Sequence, residues 1–367
     1  MASLKISVFT TLYNHERYIE CALRSALRQT LPPTEIVVVD DASDDDSVCV
    51  ARSVDDPSIR VLEEKKNLGG ANSVKWLALC KGQFVAILNS DDAWESEKLD
   101  KQSQVMLSRP NVGAVFTHII AIDEYGSQWA NGSHQLQQQF DVSNRTRHEW
   151  LRYLFLKGNP FCASSALVRK ECFDDVGPFN GSHTQLQDFD MWVRLAIGGY
   201  DIHVIEEPLT YYRVMRKGTN MSTASAGARA SNAFEYAIAL RHFWRLPSLN
   251  DLISVFPEIQ IHDKADDSLM LFYLAQHAAR LPSVHHRLFA LETMFKWGGN
   301  PDAMALAQDC HGFGFSDYRH FFSTGPIRQM LSFDIRYQVN RFAMSVMPYS
   351  IYQRMKARLG TLVRSIE

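Results

Sequence analysis

Over its first two thirds the chain alternates short apolar runs with stretches whose apolar positions recur at helical spacing. Ile6-Ser-Val-Phe-Thr-Thr predicts a first strand, and a polar turn at Asn14-His15-Glu16 follows it. Ile19, Ala22, Leu23, Ala26 and Leu27 then line one face of a helix, with Pro32 and Pro33 beyond its end. Val37 to Val39 is a continuous apolar run, the pattern of a strand covered on both faces. Further strands are expected near 59–62, 84–88 and 114–120, and helices near 72–80 and 97–107. This alternation predicts an α/β fold, a mostly parallel, Rossmann-like sheet flanked by helices.

From about Ser222 the pattern changes. Ser222-Thr-Ala-Ser-Ala-Gly-Ala is small and polar, as in a linker. Beyond it the spacing predicts helices at 233–243, 268–279, 284–297 and 302–310, so the expected division is 1–225 for the sheet domain and 226–367 for a helical region. In the last fifty residues Arg354, Lys356, Arg358 and Arg364 interleave with Tyr349, Ile351, Tyr352, Met355, Leu359 and Leu362. Such a tail either packs on the body or lies in a membrane interface with its basic groups toward anionic lipid.

Composition narrows the class without naming a function. A hydrophobic fraction of 46% and a charged fraction of 22% are those of a folded protein, and a net charge of −3 gives no reason to expect nucleic acid as a partner. The six cysteines form no CxxC pair, which favours a reducing compartment. The N-terminus lacks a signal-like apolar core and no stretch reaches about 18 apolar residues, so a cytoplasmic protein is expected.

The chemistry lies in three acidic clusters at the ends of apolar runs: Asp40–Asp41, Asp91–Asp92 and Asp188–Asp190. Carboxylates at the C-terminal ends of strands sit where open α/β sheets bind ligands. Asp41 can accept the imide N–H of uracil, with Thr11 and Tyr13 at the neighbouring strand end; it can equally dress a helix N-terminus. Asn89-Ser90-Asp91-Asp92 offers hard oxygen ligands suited to Mg2+ or Mn2+ on a diphosphate, or forms a solvated turn. Asp188 precedes a helical pattern through Met191, Trp192 and Leu195, and is either a general base beside a cleft or a helix cap. Asp190 is then a helix-start charge or a partner for Arg194. Neither GxGxxG, GxxxxGK[ST] nor GxSxG is present, so a receiver or dinucleotide reading explains only Val37–Asp41.

The order of these blocks over residues 5–215 resembles glycosyltransferase family 2, with its GT-A fold. The carriers are Ser7-Val-Phe-Thr-Thr-Leu-Tyr-Asn14, Glu35-Ile-Val-Val-Val-Asp-Asp41, Gly82 through Asp92-Ala-Trp94, Gly158-Asn-Pro-Phe-Cys-Ala-Ser-Ser165, Val176-Gly-Pro-Phe-Asn180 and Gln187–Asp188. The resemblance implies an inverting transfer of a sugar from a nucleotide-sugar donor, UDP-linked in expectation, to a glycan or polyprenyl-linked glycan acceptor. It implies that Thr11, Tyr13, Asp41 and Asp91 contact the nucleotide, that Asp92 ligates Mg2+ or Mn2+, and that Asp188 is the catalytic base. Asn89 stands where the family's metal motif usually has Asp, and Met215 where a His often follows Tyr-Arg. An Arg-Asn pair of the family is replaced at Ser73 and Val74, which leaves Asn72, Lys75 and Arg213 as candidate diphosphate contacts. These departures keep a second reading open, a catalytically weak sugar-nucleotide-binding or scaffolding module. A QxxRW motif and spanning helices, the marks of processive synthases, are missing from the sequence.

Overall fold

A computed structural model describes residues 4–69, 77–129, 134–215 and 226–324. The chain divides into two compact units, 1–258 and 259–367, so the helix that follows the expected linker belongs to the first. In chain order the first unit holds β1 (Ile6–Leu12), α1 (Ile19–Leu27), β2 (Glu35–Asp40), α2 (Ser47–Ser53), β3 (Ile59–Glu63), β4 (Phe84–Ile87) and β5 (Ala93–Trp94). There follow α3 (Lys98–Ser108), β6 (Val112–Ile122), α4 (Gln135–Phe140), α5 (Arg147–Lys157), β7 (Leu167–Arg169) and α6 (Lys170–Asp175). The unit ends with α7 (Gln187–Ile197), β8 (Asp201–Arg213), α8 (Ala226–Leu240) and α9 (Leu249–Val255).

The sheet is eight-stranded, in the order β3-β2-β1-β4-β7-β6-β8-β5. The neighbours β3–β2–β1–β4 run parallel, as the apolar runs predict, and β6 pairs parallel with β8. Strands β7 and β5 run antiparallel to their neighbours, so the sheet is mixed. Two- and three-residue strands are too short to show a period, which is why β5 and β7 escape a pattern reading. In β8 the run Glu206-Glu207-Pro208 is exposed and coincides with a register shift against β6 at Thr117/His118. That bulge hides a strand of 13 residues behind a sequence that reads as a turn.

The core forms where α1 lays Ile19, Ala22, Leu23 and Ala26 on Val8, Ile36, Val38 and Ala86, all within 1% of full burial. Burying such aliphatic side chains stabilises by about 1.5–3 kcal/mol each. Helix α5 opens with a capping box, Thr146 accepting from Glu149 N–H while Glu149 Oε2 accepts from Thr146 N–H at 2.9 Å. This box contributes about 1 kcal/mol, and the far end of α5 delivers Gly158 and Asn159 to the site.

The described part of the second unit is helical: α10 (Met270–Ala279), α11 (Val284–Trp297), α12 (Pro301–His311) and α13 (Phe315–Thr324). Asn300 caps α12 with Pro301 at its first turn, and Gly312 closes it at φ 64°. No helix among the described residues is long and apolar enough to cross a membrane. The basic tail beyond residue 324, Asn72, Lys75 and the stretch 222–225 lie outside the described residues.

Candidate active site

The C-terminal ends of β1, β2 and β4 lie side by side, Leu12 opposite Asp40 and Leu88 N–H donating to Phe9 O at 3.0 Å. The turns after β1 and β2 interlock there. Asn14 N–H donates to Ser43 Oγ at 2.9 Å, Asp44 N–H to Asn14 Oδ1 at 2.8 Å, and His15 N–H to Ser47 Oγ at 2.8 Å. Asn14 and Ala42 take left-handed backbone angles, φ 52° and 62°, at a cost of about 1–2 kcal/mol each that these bonds offset. Thr11 and Tyr13 stand exposed at the end of β1. The Asp41 carboxylate accepts Leu68 N–H at 2.9 Å and Gly69 N–H at 2.8 Å, so it shapes the turn at 67–69.

The two adjacent carboxylates after β4 have different surroundings. Asp92 is 1% exposed, its Oδ1 accepting Arg213 N–H at 2.8 Å and its Oδ2 accepting Ser164 Oγ–H at 2.5 Å and Asn89 Nδ2–H at 3.4 Å. Burial, with Asp91 adjoining, pushes its carboxyl well above the ordinary range. Asp91 is partly exposed, and among the described residues its carboxylate accepts no hydrogen bond beyond that of its own backbone N–H. Burial raises its pKa too, against the opposing pull of His15 and Arg213. Asp92 thus accepts from three protein groups, whereas Asp91 among the described residues accepts only from its own backbone N–H.

Arg213 is 5% exposed and faces inward, Nε donating to Asp91 O at 2.7 Å and Nη1 to Asp123 O at 2.9 Å. Arg213, a candidate diphosphate contact, ties the Asp91–Asp92 turn to the end of β6 through these two carbonyls.

Asp188 lies in the first turn of α7. Its Oδ2 accepts Asn159 Nδ2–H at 2.7 Å and its Oδ1 accepts Phe189 N–H at 2.8 Å. Burial pushes its pKa up to about 6, although these hydrogen bonds and His183 favour the ionised form. A carboxylate so poised is a competent proton acceptor near neutral pH. Asp190 faces the other way, bonded to Arg194 Nε at 2.8 Å and His242 Nε2 at 2.8 Å. Burial opposes its ionisation, but His183, His242 and Arg194 hold it well below the usual range.

Tyr212 stands between the two carboxylate centres. Burial, then Cys162, Asp92, Asp91 and Asp188, hold its phenol protonated far above its usual value. His15, whose Nδ1 lies 2.8 Å from Ser90 Oγ, acts electrostatically on Asp91. His15, Asn159 and Ser164 stand only inside motif strings, because their roles arise from partners 29 to 75 positions away, and the neighbours of Tyr212 are likewise distant in the chain.

The family model described as "Glycosyl transferase family 2" matches residues 7–177. An uncharacterized glycosyltransferase of Nostoc sp. is 29% identical over 231 residues, covering 61% of this chain and 69% of its own. An amylovoran biosynthesis glycosyltransferase of Erwinia amylovora is 26% identical, over 60% of this chain and 79% of its own. Among solved structures, S. aureus TarS 1-349 in complex with UDP-GlcNAc shares the fold, with a TM-score of 0.54 at 17% identity over 86% of this chain and 90% of that one. On these matches, and on a GT-A sheet with acidic groups at its strand ends, residues 7–177 carry a glycosyltransferase family 2 domain and the chain is a glycosyltransferase.

Proposed function

We propose that this chain is an inverting glycosyltransferase that moves a sugar from a UDP-linked donor to a hydroxyl of a glycan or lipid-linked glycan acceptor in polysaccharide biosynthesis. The observation that carries this reading is Asp188, a carboxylate held by Asn159 and poised at about 6, which shares Tyr212 as a neighbour with Asp91. Asp188 takes the proton of the acceptor hydroxyl as its oxygen attacks the anomeric carbon, and the bond to the diphosphate breaks on the opposite face. Thr11, Tyr13 and Asp41 receive the base, and His15 lies beside Asp91 where a diphosphate oxygen needs a donor. The UDP-GlcNAc in TarS and the amylovoran role of the Erwinia relative support donor and pathway class.

Asp91 and the amide oxygen of Asn89 fit a divalent cation, Mg2+ or Mn2+, because among the described residues the Asp91 carboxylate accepts only its own backbone N–H and Asn89 turns its NH2 toward Asp92. Among the described residues no group of three or more His, Cys, Asp or Glu could hold a metal ion, so a cation here would take further ligands from the donor's phosphates. When bound, the cation neutralises charge on the departing diphosphate.

A thermal-shift screen of UDP-, GDP-, dTDP- and CMP-sugars, each with Mn2+, Mg2+ or EDTA, tests the donor reading. A metal-dependent shift with a UDP-sugar is expected. Folded protein that responds to no donor would favour the scaffolding module that Asn89 and Met215 left open. We place the enzyme at the cytoplasmic face of the membrane, with residues 325–367 as its contact. Failure of the full chain to pellet with anionic liposomes at low salt removes that placement.

A further inference from the structure

Glu235 and Tyr236 are consecutive residues of α8, a helix that pattern reading put outside the catalytic domain. Their side chains grip two different segments, and both segments hold Asp188. Glu235 is 6% exposed, with Oε1 accepting Thr184 N–H at 2.9 Å and Thr184 Oγ1–H at 2.5 Å. Its Oε2 accepts Gln185 N–H at 3.0 Å and Leu186 N–H at 3.1 Å. Those donors lie on the loop entering α7, whose start carries Asp188, so the carboxylate from α8 satisfies backbone groups ahead of the base helix.

Tyr236 acts on the other support. Its hydroxyl accepts the backbone N–H of Asn159, and its ring packs on Phe189 with centroids 4.6 Å apart. It also fills the space above Gly158, where a Cβ would lie 2.8 Å from the phenolic oxygen. Asn159, pinned in this way, turns its own NH2 to Asp188 Oδ2 at 2.7 Å.

A third group completes the arrangement. His183, 3% exposed, has Nε2 3.5 Å from Asp190 Oδ1 and Nδ1 3.5 Å from Glu235 Oε2. Burial opposes its protonation, but the carboxylates on either side hold its pKa above the usual value, and its charge favours ionised Asp188. Around Asp188 the titratable neighbours are thus His183 from the loop before α7, Tyr236 from α8, Tyr212 from β8 and Cys162 from the segment after Asn159.

We propose that Glu235 and Tyr236 are positioning residues, which set from α8 where the Asp188 carboxylate points and how readily it takes a proton. As a statement about catalysis this rests on Asp188 being the base. The direction follows from the geometry. Tyr236→Phe keeps the ring but removes the acceptor for Asn159 N–H, and a loosened Asn159 donates less well to the carboxylate. A lost donor to the charged form raises a carboxyl pKa. Glu235→Gln puts an NH2 against backbone N–H donors and loosens the start of α7.

The test is a carboxyl-carbon NMR titration of Asp188 in the full chain with labelled aspartate, the resonance assigned by its loss in Asp188→Asn. Both variants are expected to move the Asp188 midpoint upward, by about 0.5 pH unit on the scale of a lost hydrogen bond. Glu235→Asp, which keeps the carboxylate, is expected to restore part of the native value and replaces Glu235→Gln if near-UV dichroism shows that Gln prevents folding. In donor hydrolysis with UDP-GlcNAc and Mn2+, the acid limb should move by the same amount and kcat fall about tenfold at constant donor KM. A native midpoint in both Tyr236→Phe and the Glu235 variant overturns the proposal. A shifted midpoint in a protein whose hydrolysis survives Asp188→Asn leaves the clamp standing and removes Asp188 as the base.

Discussion

The Asp91–Asp92 turn and the Asp188 centre are assembled by different means. The first follows β4, where the parallel strands meet antiparallel β7, and one of its two carboxylates accepts three protein donors. Asp92 accepts from Ser164, Asn89 and Arg213 N–H, while its neighbour Asp91 stays available. The second sits at a helix start and is held by groups from residues 159 and 189, with 183–186, 235 and 236 behind them. A motif carboxylate is therefore classified by what each oxygen accepts, and the more buried member of a pair is the brace.

Four experiments test whether the two centres differ in this way. Asp188→Asn is expected to lower kcat about 1,000-fold, roughly 4 kcal/mol of barrier, while donor-induced thermal shifts stay native. In the native enzyme kcat/KM should fall tenfold per pH unit below about 6, as the base becomes protonated. Near-native turnover in the variant would leave Asp188 as a helix cap.

Next in size, Asp92→Ala should cost about 2–4 kcal/mol in unfolding free energy, since Ser164 Oγ and Arg213 N–H lose a buried acceptor. Asp91→Ala should leave the ligand-free Tm within about 1 °C, a change of a few tenths of a kcal/mol, yet lose the metal-dependent part of donor stabilisation. Equal Tm losses in the two variants would erase the distinction between brace and ligand.

Gly158→Ala forces a side chain at φ 89° against the Tyr236 hydroxyl. A stability loss of about 1–2 kcal/mol is expected from the backbone alone. Activity should fall further than stability, because Asn159 follows in the chain; matched losses would argue for a merely structural glycine.

At a fixed pH near 10 the smallest effect is that of Lys98→Met. The Lys98 side chain is fully buried, its amine donating to Gln102 Oε1 at 2.9 Å and lying 4.0 Å from the centre of the Trp94 ring. Burial depresses its pKa well below the usual value. The folded state then binds fewer protons than the unfolded one between the depressed pKa and about 10.4. Native stability is therefore lost as pH falls through that window. The variant lacks this dependence and should gain on the native protein by at most about 1.4 kcal/mol per unit of acidification below pH 10. Parallel stability curves in chemical denaturation would show that Lys98 stays charged over Trp94.

Local pattern was enough for much of the fold. The parallel strands β1 to β4, helices α1 and α3, and α11 follow from apolar periodicity, since each buries a face whose spacing is written in consecutive residues. The three acidic clusters were visible for the same reason: each ends or begins a periodic run. Strands β5, β7 and β8 were not, being very short or interrupted by a bulge. For Arg213 the sequence shows a charge and not its direction; folding sets its guanidinium against two carbonyls.

What the chain determined by itself, then, is the class of sheet, the places of its carboxylates and the family they resemble. Folding decided which carboxylate is buried, which donors each one accepts, and that Glu235 and Tyr236 hold the segments on either side of Asp188 from a helix beyond a small polar stretch. The physical reason is range. Periodicity and turn chemistry act over a few residues, whereas a carboxylate's protonation and orientation depend on desolvation and donors that only folding brings within 3 Å.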